Sequence, residues 1–453
     1  MWRPRLDRKS GPLYLALADA IAGDVQAGRL RAGDRLPPQR DLADALGVNV
    51  TTITRGYTEA DRRGLVRGEI GRGTFVRPPA FTIPQIQAAG LIDLATNALL
   101  PQAHAGQLAS ALASLIARMS PEQLFNYQPH AGRPEHRAVA ASFLRASRVP
   151  ADAADTVLTS GAQHAMAVAL ATLTAPGETV LCESLTYTGM RSLANHLHVR
   201  LFAVSMDDDG LLPDALEDAA LESGGRVLYC MPSVQNPTGR VMSRKRRQEL
   251  ARVASRLNLF VVEDDTYGFL AGGHDPLASL APERTFYLTS LSKSLVPGLR
   301  VGLLRPPPGW IDRVIGAVFA TTVTVMPLAA AAAAEWIEDG TADRVIAWKR
   351  DEVRARQQLT RGVLGDLVNG ALDSQHVWLQ LPARWSAEDF AREARQRGVL
   401  ITPGREFAVA RHQAPNAVRV CLGPPAERQS LKHAITTLSE ILGDTPQAFG
   451  TSV

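Results

Sequence analysis

Along the first part of the chain, apolar side chains return at helical spacing and then give way to short runs. Leu13, Leu17, Ala20, Ile21 and Val25 share one face and the pattern stops at Gly28, which predicts an amphipathic helix from Pro12 to Ala27. The chain then reads AGDRLPPQRDLADALGV. Pro37 and Pro38 let a helix begin but not pass through them, so Leu42, Ala45 and Leu46 mark a short second helix ended by Gly47. Asn49 is the cap of a third helix that turns Ile53, Tyr57 and Ala60 inward and leaves Thr51, Thr52 and Arg55 on its outer face. GLVRGEIGRGTFVRP closes this unit as two short strands around a Gly71-Arg72-Gly73 turn. The expected boundaries are a domain over residues 1–78, a linker over 79–91 stiffened by its prolines, and a second domain over 92–445.

From Ile92 the pattern changes. TVLCES, RVLYCMP, LFVVEDD and TFYLTSL are apolar runs, each followed by a helix-like stretch. Continuous apolar strands alternating with helices predict an α/β fold with a mostly parallel sheet covered on both faces, whose chemistry sits beyond the carboxyl ends of the strands. The long charge-free stretch Gly316 to Ala334 is broken by Thr321, Thr322, Thr324 and Pro327. It reads as a strand or loop followed by a packed helix, and not as a membrane span.

Charge sharpens this division. Of 49 basic and 45 acidic side chains, residues 1–80 hold 14 and 9, leaving 35 and 36 for the rest. The whole basic excess therefore lies in the first unit, where a domain meeting a polyanion needs it. Three distant cysteines, Cys182, Cys230 and Cys421, form neither a disulfide framework nor a metal knuckle, which fits a reducing cytoplasm. MWRPRLDRKSGPLY has no apolar core of signal-peptide length. The ten histidines show no ligand spacing, and His196 and His198 read as surface groups, so no metal is expected.

Short hydroxyls and an arginine on the outer face of the third helix are side chains that read a major groove, and a basic turn such as that at Arg72 can lie against phosphates or in a minor groove. The ordered set G.L..GDRLP..R.LA..LGV, T..T..Y.....G and G.GTFV resembles the GntR family of winged helix-turn-helix proteins. That resemblance implies DNA contacts by Arg40, Thr51, Thr52, Arg55 and Arg72. Val50, where the family often carries a basic or polar residue, is a departure that bears on base preference.

In the second domain, TSGAQHAMAVAL places Ser160, Gly161, Ala162 and Gln163 at a helix start, where free N–H groups favour a phosphate. VVEDDTYG ends a strand in three carboxylates, of which at least one should meet a cation. Together with QNPTG and TSLSKSLVPGLRVG, these residues resemble the fold-type I enzymes of the aspartate-aminotransferase family, which bind pyridoxal 5'-phosphate (PLP). The resemblance makes Lys293 the Schiff-base lysine, kept partly deprotonated by a desolvated, cation-rich pocket. It makes Asp264 the partner of the pyridine nitrogen; Asp265 is the alternative, but the D-x-x-Y spacing to Tyr267 favours Asp264. Tyr267 and Asn236 would bond the ring's phenolate oxygen and Tyr187 would stack on the ring. Ala162, Gln163, Ser290, Ser292 and Arg300 would hold the phosphate, with Tyr127 reaching it from a neighbouring subunit. Arg419 would grip a substrate carboxylate. A departure lies at ATNALLP, residues 95–101, where the family usually places a glycine beside the substrate.

A GntR-like head on such a domain resembles the MocR group of regulators. This implies a cytoplasmic homodimer that binds double-stranded operator DNA through two half-sites and PLP through the second domain. The effector would be an amino acid or a vitamin B6-related compound, sensed when it exchanges with Lys293 in the aldimine. A working aminotransferase with a DNA-binding head is the alternative, because every catalytic position is filled.

Overall fold

The computed structural model describes residues 2–4, 6 and 12–444, apart from 27–28, 31–32, 64, 70–72, 77–89 and 99–104. The chain divides into two compact units, Met1–Ile86 and Gln87–Val453. Most of the expected linker, and Arg72 with its turn, lie outside the described residues.

The first unit has three helices, α1 (Leu13–Gln26), α2 (Gln39–Leu46) and α3 (Val50–Arg62), and a two-stranded antiparallel ribbon of β1 (Val66–Glu69) and β2 (Gly73–Val76). Helix α2 starts directly after Pro38 and ends on Gly47 at φ +63°, a left-handed conformation that glycine adopts without strain. Asn49 caps α3 by accepting from the Thr51 amide at 2.9 Å. Leu17, Ile21, Leu36, Leu42, Ile53, Tyr57, Ala60, Val66 and Val76 form the core. Ala43, not Ala45, is the buried alanine of α2, because residue 43 shares the inward face with Leu42. Helices α1 and α3 cross closely: a Cβ on Gly56 would stand 2.6 Å from Leu17 Cδ2. The Tyr57 hydroxyl, buried in this core, donates to the Pro37 carbonyl at 2.9 Å and is thereby satisfied.

The second unit is built on a seven-stranded sheet. Its spatial order is Val157–Thr159, Gly302–Arg305, Thr285–Ser290, Phe260–Asp264, Val227–Cys230, Thr179–Glu183, Arg200–Val204. The four apolar runs of the sequence are the central strands, paired parallel, and Gly302–Arg305 runs antiparallel to both its neighbours. Helix Ala162–Leu173 packs its Ala165, Met166, Val168, Ala169 and Leu170 into the core on one face of this sheet. A smaller four-stranded antiparallel sheet orders Val368–Asn369, His376–Gln380, Ala417–Cys421 and Thr402–Pro403, with helix Arg428–Gly443 contributing Leu431, Ile435, Leu438 and Ile441 to its core. The 24-residue helix Thr341–Leu364 carries side chains into both regions.

One expectation is corrected. Residues 316–322 are neither strand nor loop but the second half of helix Ile311–Thr322. Val314 and Val318 bury one stripe of this helix, and residues 327–338 form a second, alanine-rich helix. Alanine favours the second helix by propensity, whereas the first, rich in β-branched residues, is held by burying Val314 and Val318 in the core. Among the described residues no helix is long and apolar enough to cross a membrane.

Candidate functional site

The central strands deliver their polar ends to one pocket. Strand Thr285–Ser290 runs into the four-residue helix Leu291–Ser294, which carries Lys293. Its side chain is enclosed, and burial, aided by the Arg419 and Arg300 cations, pushes its amine down from the ordinary lysine value to about 8. The amine donates to the carbonyl of Asn97 and stands 6.0 Å from the centre of the Tyr267 ring.

Strand Phe260–Asp264 ends in Glu263 and Asp264, Asp265 follows it directly, and the structure separates the roles of the three carboxylates. Glu263 turns to the Arg247 side of the sheet: its oxygens accept the amides of Leu277 and Ala278 at 2.9 Å, and Arg247 Nη1 lies 3.8 Å away. Both side chains are fully buried, and burial raises the Glu263 carboxyl to about 7. Asp265 accepts from the Tyr287 hydroxyl at 2.5 Å. Asp264 accepts from the Tyr229 hydroxyl at 2.9 Å and from the Thr266 hydroxyl and amide at 2.6 and 3.1 Å. Its field reaches both Lys293 and Tyr187, which puts Asp264 on the lysine side. Burial raises its carboxyl, which has no ion-pair partner among the described residues.

Tyr267 is buried and its hydroxyl accepts from Asn97 Nδ2 at 2.8 Å. Tyr187 begins helix Thr188–His196. Burial raises its hydroxyl, with Asp264 acting in the same sense and Arg419 and Arg300 against it, so the ring lies among those three charges. Asn236, in the turn after strand Val227–Cys230, accepts from Arg419 Nη1 at 2.8 Å. Arg419 itself is buried on strand Ala417–Cys421, its guanidinium 4.6 Å over the Phe407 ring. Its Nη2 donates to the Ala95 carbonyl at 2.6 Å and its Nε is buried with no hydrogen-bond partner.

The other end of the pocket is a cradle. Helix Ala162–Leu173 begins at Gly161, φ +90°, with no side-chain cap, so the Ala162 and Gln163 end presents helix-terminal amides. Gly161 takes a φ that other residues adopt only with strain, and without a Cβ it lets the Arg300 guanidinium pack against the helix start, where a Cβ would lie 2.6 Å from Nη2. Arg300 Nη1 donates to Ser292 Oγ at 3.3 Å, and Ser290 Oγ accepts the Ser292 amide at 3.0 Å. Amides, hydroxyls and a guanidinium gathered at one helix start suit a phosphate. Tyr127 is 88% exposed, on the outside of this chain rather than in its pocket.

Sequence reasoning missed four participants. Asn97 lies in the segment flagged for its missing glycine; its Oδ1 accepts from Gln375 Nε2 at 2.5 Å. His376 is fully buried, its ring 6.0 Å edge-on to Tyr267, and burial with the Arg419 cation lowers its imidazole to about 3, so it is neutral. Lys349, from the long helix, donates to the carbonyls of Lys293 and Leu295 at 2.9 and 2.7 Å. Tyr229 supports Asp264. Asn97 and Tyr229 fall in stretches read for other reasons, ATNALLP and RVLYCMP, whereas His376 and Lys349 left no signal.

In the first unit Arg40, Thr51 and Arg55 are exposed and Thr52 is half-buried. The Arg55 guanidinium lies 4.2 Å over the Tyr14 ring. Thr54, also exposed on α3, donates to Gln39 Oε1 at 2.6 Å and ties α3 to the start of α2. This face, with its exposed hydroxyls and guanidinium, has the composition of a groove-reading helix.

A helix-turn-helix head on an aminotransferase fold is the class these two sites define. Residues 13–76 match the bacterial regulatory proteins of the gntR family, and residues 89–438 match aminotransferase class I and II. The chain belongs to the aminotransferase class I and II family and, with its GntR head, is a MocR-type protein. It is 30% identical to the uncharacterized HTH-type transcriptional regulator YdeF of Bacillus subtilis over 98% of this chain and 97% of that one. It is 28% identical to the probable rhizopine catabolism regulatory protein MocR of Rhizobium meliloti, with 89% of each covered. Among solved structures, the α-aminoadipate aminotransferase LysN of Thermus thermophilus is similar at 25% identity and a TM-score of 0.72, over 78% of this chain and 92% of that one. The kynurenine aminotransferase of Pyrococcus horikoshii shares the fold, with a TM-score of 0.73 over 79% and 91%.

Proposed function

We propose that the protein is a cytoplasmic, PLP-dependent transcription regulator that senses an amino acid or a vitamin B6-related compound and binds operator DNA as a homodimer. The observation that carries this reading is the pairing of Lys293, its amine lowered to about 8, with the buried Arg419 whose Nε has no partner. One group is primed to react with an aldehyde, and the other holds an unfilled donor for a carboxylate.

PLP supplies an aldehyde on an electron-withdrawing ring. Lys293 would hold that aldehyde covalently. Asp264, which makes no ion pair among the described residues, would face the protonated pyridine nitrogen, Tyr187 would cover the ring, and Tyr267 and Asn236 would bond its phenolate oxygen. Ala162, Gln163, Ser290, Ser292 and Arg300 would hold the phosphate, joined by Tyr127 of a second subunit. An amino acid would compete with Lys293 for the aldehyde while its carboxylate meets Arg419. In the head, residues 1–78, we assign DNA contacts to Arg40, Thr51, Thr52, Arg55 and Arg72.

The test is an absorbance spectrum of the purified protein, followed through additions of amino acids. The expected result is a visible PLP band that changes with at least one of them. A colourless protein that takes up no added PLP would overturn the reading. Because Lys293, Asp264, Tyr267 and Arg419 are all gathered in one pocket, a second reading is an active aminotransferase with a DNA-binding head. Formation of a keto acid from an added amino acid decides for it.

A further inference from the structure

The segment with the missing glycine is held by the pocket in an unexpected way. Up to Leu94 it is anchored by backbone: Ile92–Asp93 pairs parallel with Val399–Leu400, the Leu94 amide donates to the Leu400 carbonyl at 2.8 Å, and the Leu94 carbonyl accepts from the Cys421 amide at 2.8 Å. Past Leu94 the long-range anchors are side chains of the site. The Ala95 carbonyl accepts from Arg419 Nη2 at 2.6 Å and from Thr402 Oγ1 at 3.2 Å. The Asn97 side chain bonds Tyr267 at 2.8 Å and Gln375 at 2.5 Å, and its carbonyl accepts from Lys293.

Arg419 has one edge left for a carboxylate. Its Nη1 is committed to Asn236, so side-on capture must use the Nε and Nη2 donors. Nε is without a partner, and Nη2 is taken by Ala95. A carboxylate arriving side-on meets the Ala95 carbonyl at Nη2 and competes with it there. The exchange is favourable because a charged acceptor bonds a guanidinium roughly twice as strongly as a neutral carbonyl. The displaced segment continues back through Ile92 to the connection with Val76 of β2, the covalent path to the head.

We infer that the Ala95–Asn97 segment is a latch, released when a ligand carboxylate takes Arg419, and that Asn97 is the positioning residue that sets how tightly the latch holds. This rests on reading the pocket as an amino-acid sensor and adds how occupancy leaves it. A ligand shifts a conformational equilibrium only through contacts that differ between states, and the Ala95 bond is such a contact.

The full-length, PLP-loaded protein tests this with L-alanine, L-glutamate and L-lysine as probes, binding being measured by calorimetry and by absorbance. Hydrogen exchange at the amides of residues 95–98 is read with and without the bound probe. The expected result is faster exchange there once the probe binds. Asn97→Ala, which removes the Tyr267 and Gln375 anchors, should raise that exchange without ligand and tighten probe binding about threefold to tenfold, the equivalent of roughly one hydrogen bond. Gln375→Ala loosens the same anchor from the other side and should move both readouts in the same direction. A probe that binds the wild type yet leaves exchange at 95–98 unchanged overturns the latch and spares the sensor reading. A protein that binds none of the three by either measurement overturns the latch, since no carboxylate then takes Arg419, and the sensor reading falls only with the loss of PLP uptake.

Discussion

The two candidate sites of this chain solve opposite problems. On α3 the side chains assigned to DNA are exposed or half-buried, and each adds a donor or hydroxyl to a surface that costs little to keep in water. In the pocket Asp264, Tyr267, Asn236, Ser290, Ser292 and Arg419 are all buried, each desolvated and held by named partners. Desolvation is what moves the Lys293 amine down and the Asp264 carboxyl up. A surface site therefore gets its specificity from what it touches, whereas this pocket has reactivity stored in it before any ligand arrives.

The largest effect that can break this contrast is at Lys293. If reactivity is stored in the pocket and DNA contact in the head, Lys293→Ala should abolish the covalent PLP band and reduce any response to amino acids to background. DNA affinity and dimerisation should stay at the wild-type level. Gel-shift titrations with and without amino acid, beside absorbance, measure both halves. A variant that responds like wild type means that the lysine is not the sensor.

The contrast also explains what the sequence made legible. The head could be read because helix periodicity, the Gly47 stop and the Asn49 cap are local signals, and the structure repeats them. The central strands were legible as apolar runs, and the three carboxylates announced a cation, which proves to be Arg247 beside Glu263. Residues 316–322 misled because Val318 and the threonines favour strand or loop by propensity, a preference that packing of the helix on the core overrides. Lys349, His376 and Gln375 were invisible because they reach the pocket from segments remote in sequence, and a lone Lys or His on an apolar face looks the same whether it faces a site or a core. Asn97 lay between these cases, noticed as an anomaly but without a role until its partners were in view.

Arg247 offers the next largest effect, since it belongs to the pocket's scaffold rather than its chemistry. Arg247→Met leaves Glu263 buried without its cation, and breaking such a pair typically costs about 3–5 kcal/mol. Glu263 already sits at about 7, and the substitution raises it further. The folded state then binds more protons than the unfolded one above the ordinary Glu value of 4.5, so the variant's stability should fall as pH rises through that window. Urea denaturation at pH 5.5 and at pH 8 (about those values) checks the sign. Equal destabilisation at both would mean that Glu263 is solvated.

Lys349 reports burial with the opposite sign. Burial and the nearby Lys293 lower it to about 7, so between 7 and its ordinary 10.5 the folded state binds fewer protons than the unfolded one. Stability should therefore rise with pH across that window, by up to about 1.4 kcal/mol per pH unit for one group. Lys349→Met removes that slope while also leaving the Lys293 and Leu295 carbonyls without its two hydrogen bonds. Denaturation curves for both proteins in the same PLP-loaded state should converge at low pH and diverge at high pH. Parallel curves would place the ammonium in water.

The smallest effects belong to the head, where water already competes for every contact. Arg40→Ala should weaken operator binding by about 1–3 kcal/mol if the guanidinium reads a base, or lower the salt slope by about one unit if it meets a phosphate, with the PLP band unchanged. Tyr14 sharpens the point. Its ring carries Arg55 at 4.2 Å on an exposed face, where such a contact contributes roughly 0.5–1 kcal/mol. If Tyr14 acts only by orienting Arg55 toward DNA, Tyr14→Leu should lower affinity by no more than that amount, keep the apolar support on α1, and leave thermal stability of the head nearly unchanged. In Arg55→Ala the same tyrosine substitution should then add nothing, because the side chain it orients is gone. A double-mutant cycle on DNA affinity measures this coupling. Additive losses would show that Tyr14 reaches the DNA by itself, and that Arg55 is placed by α3 alone.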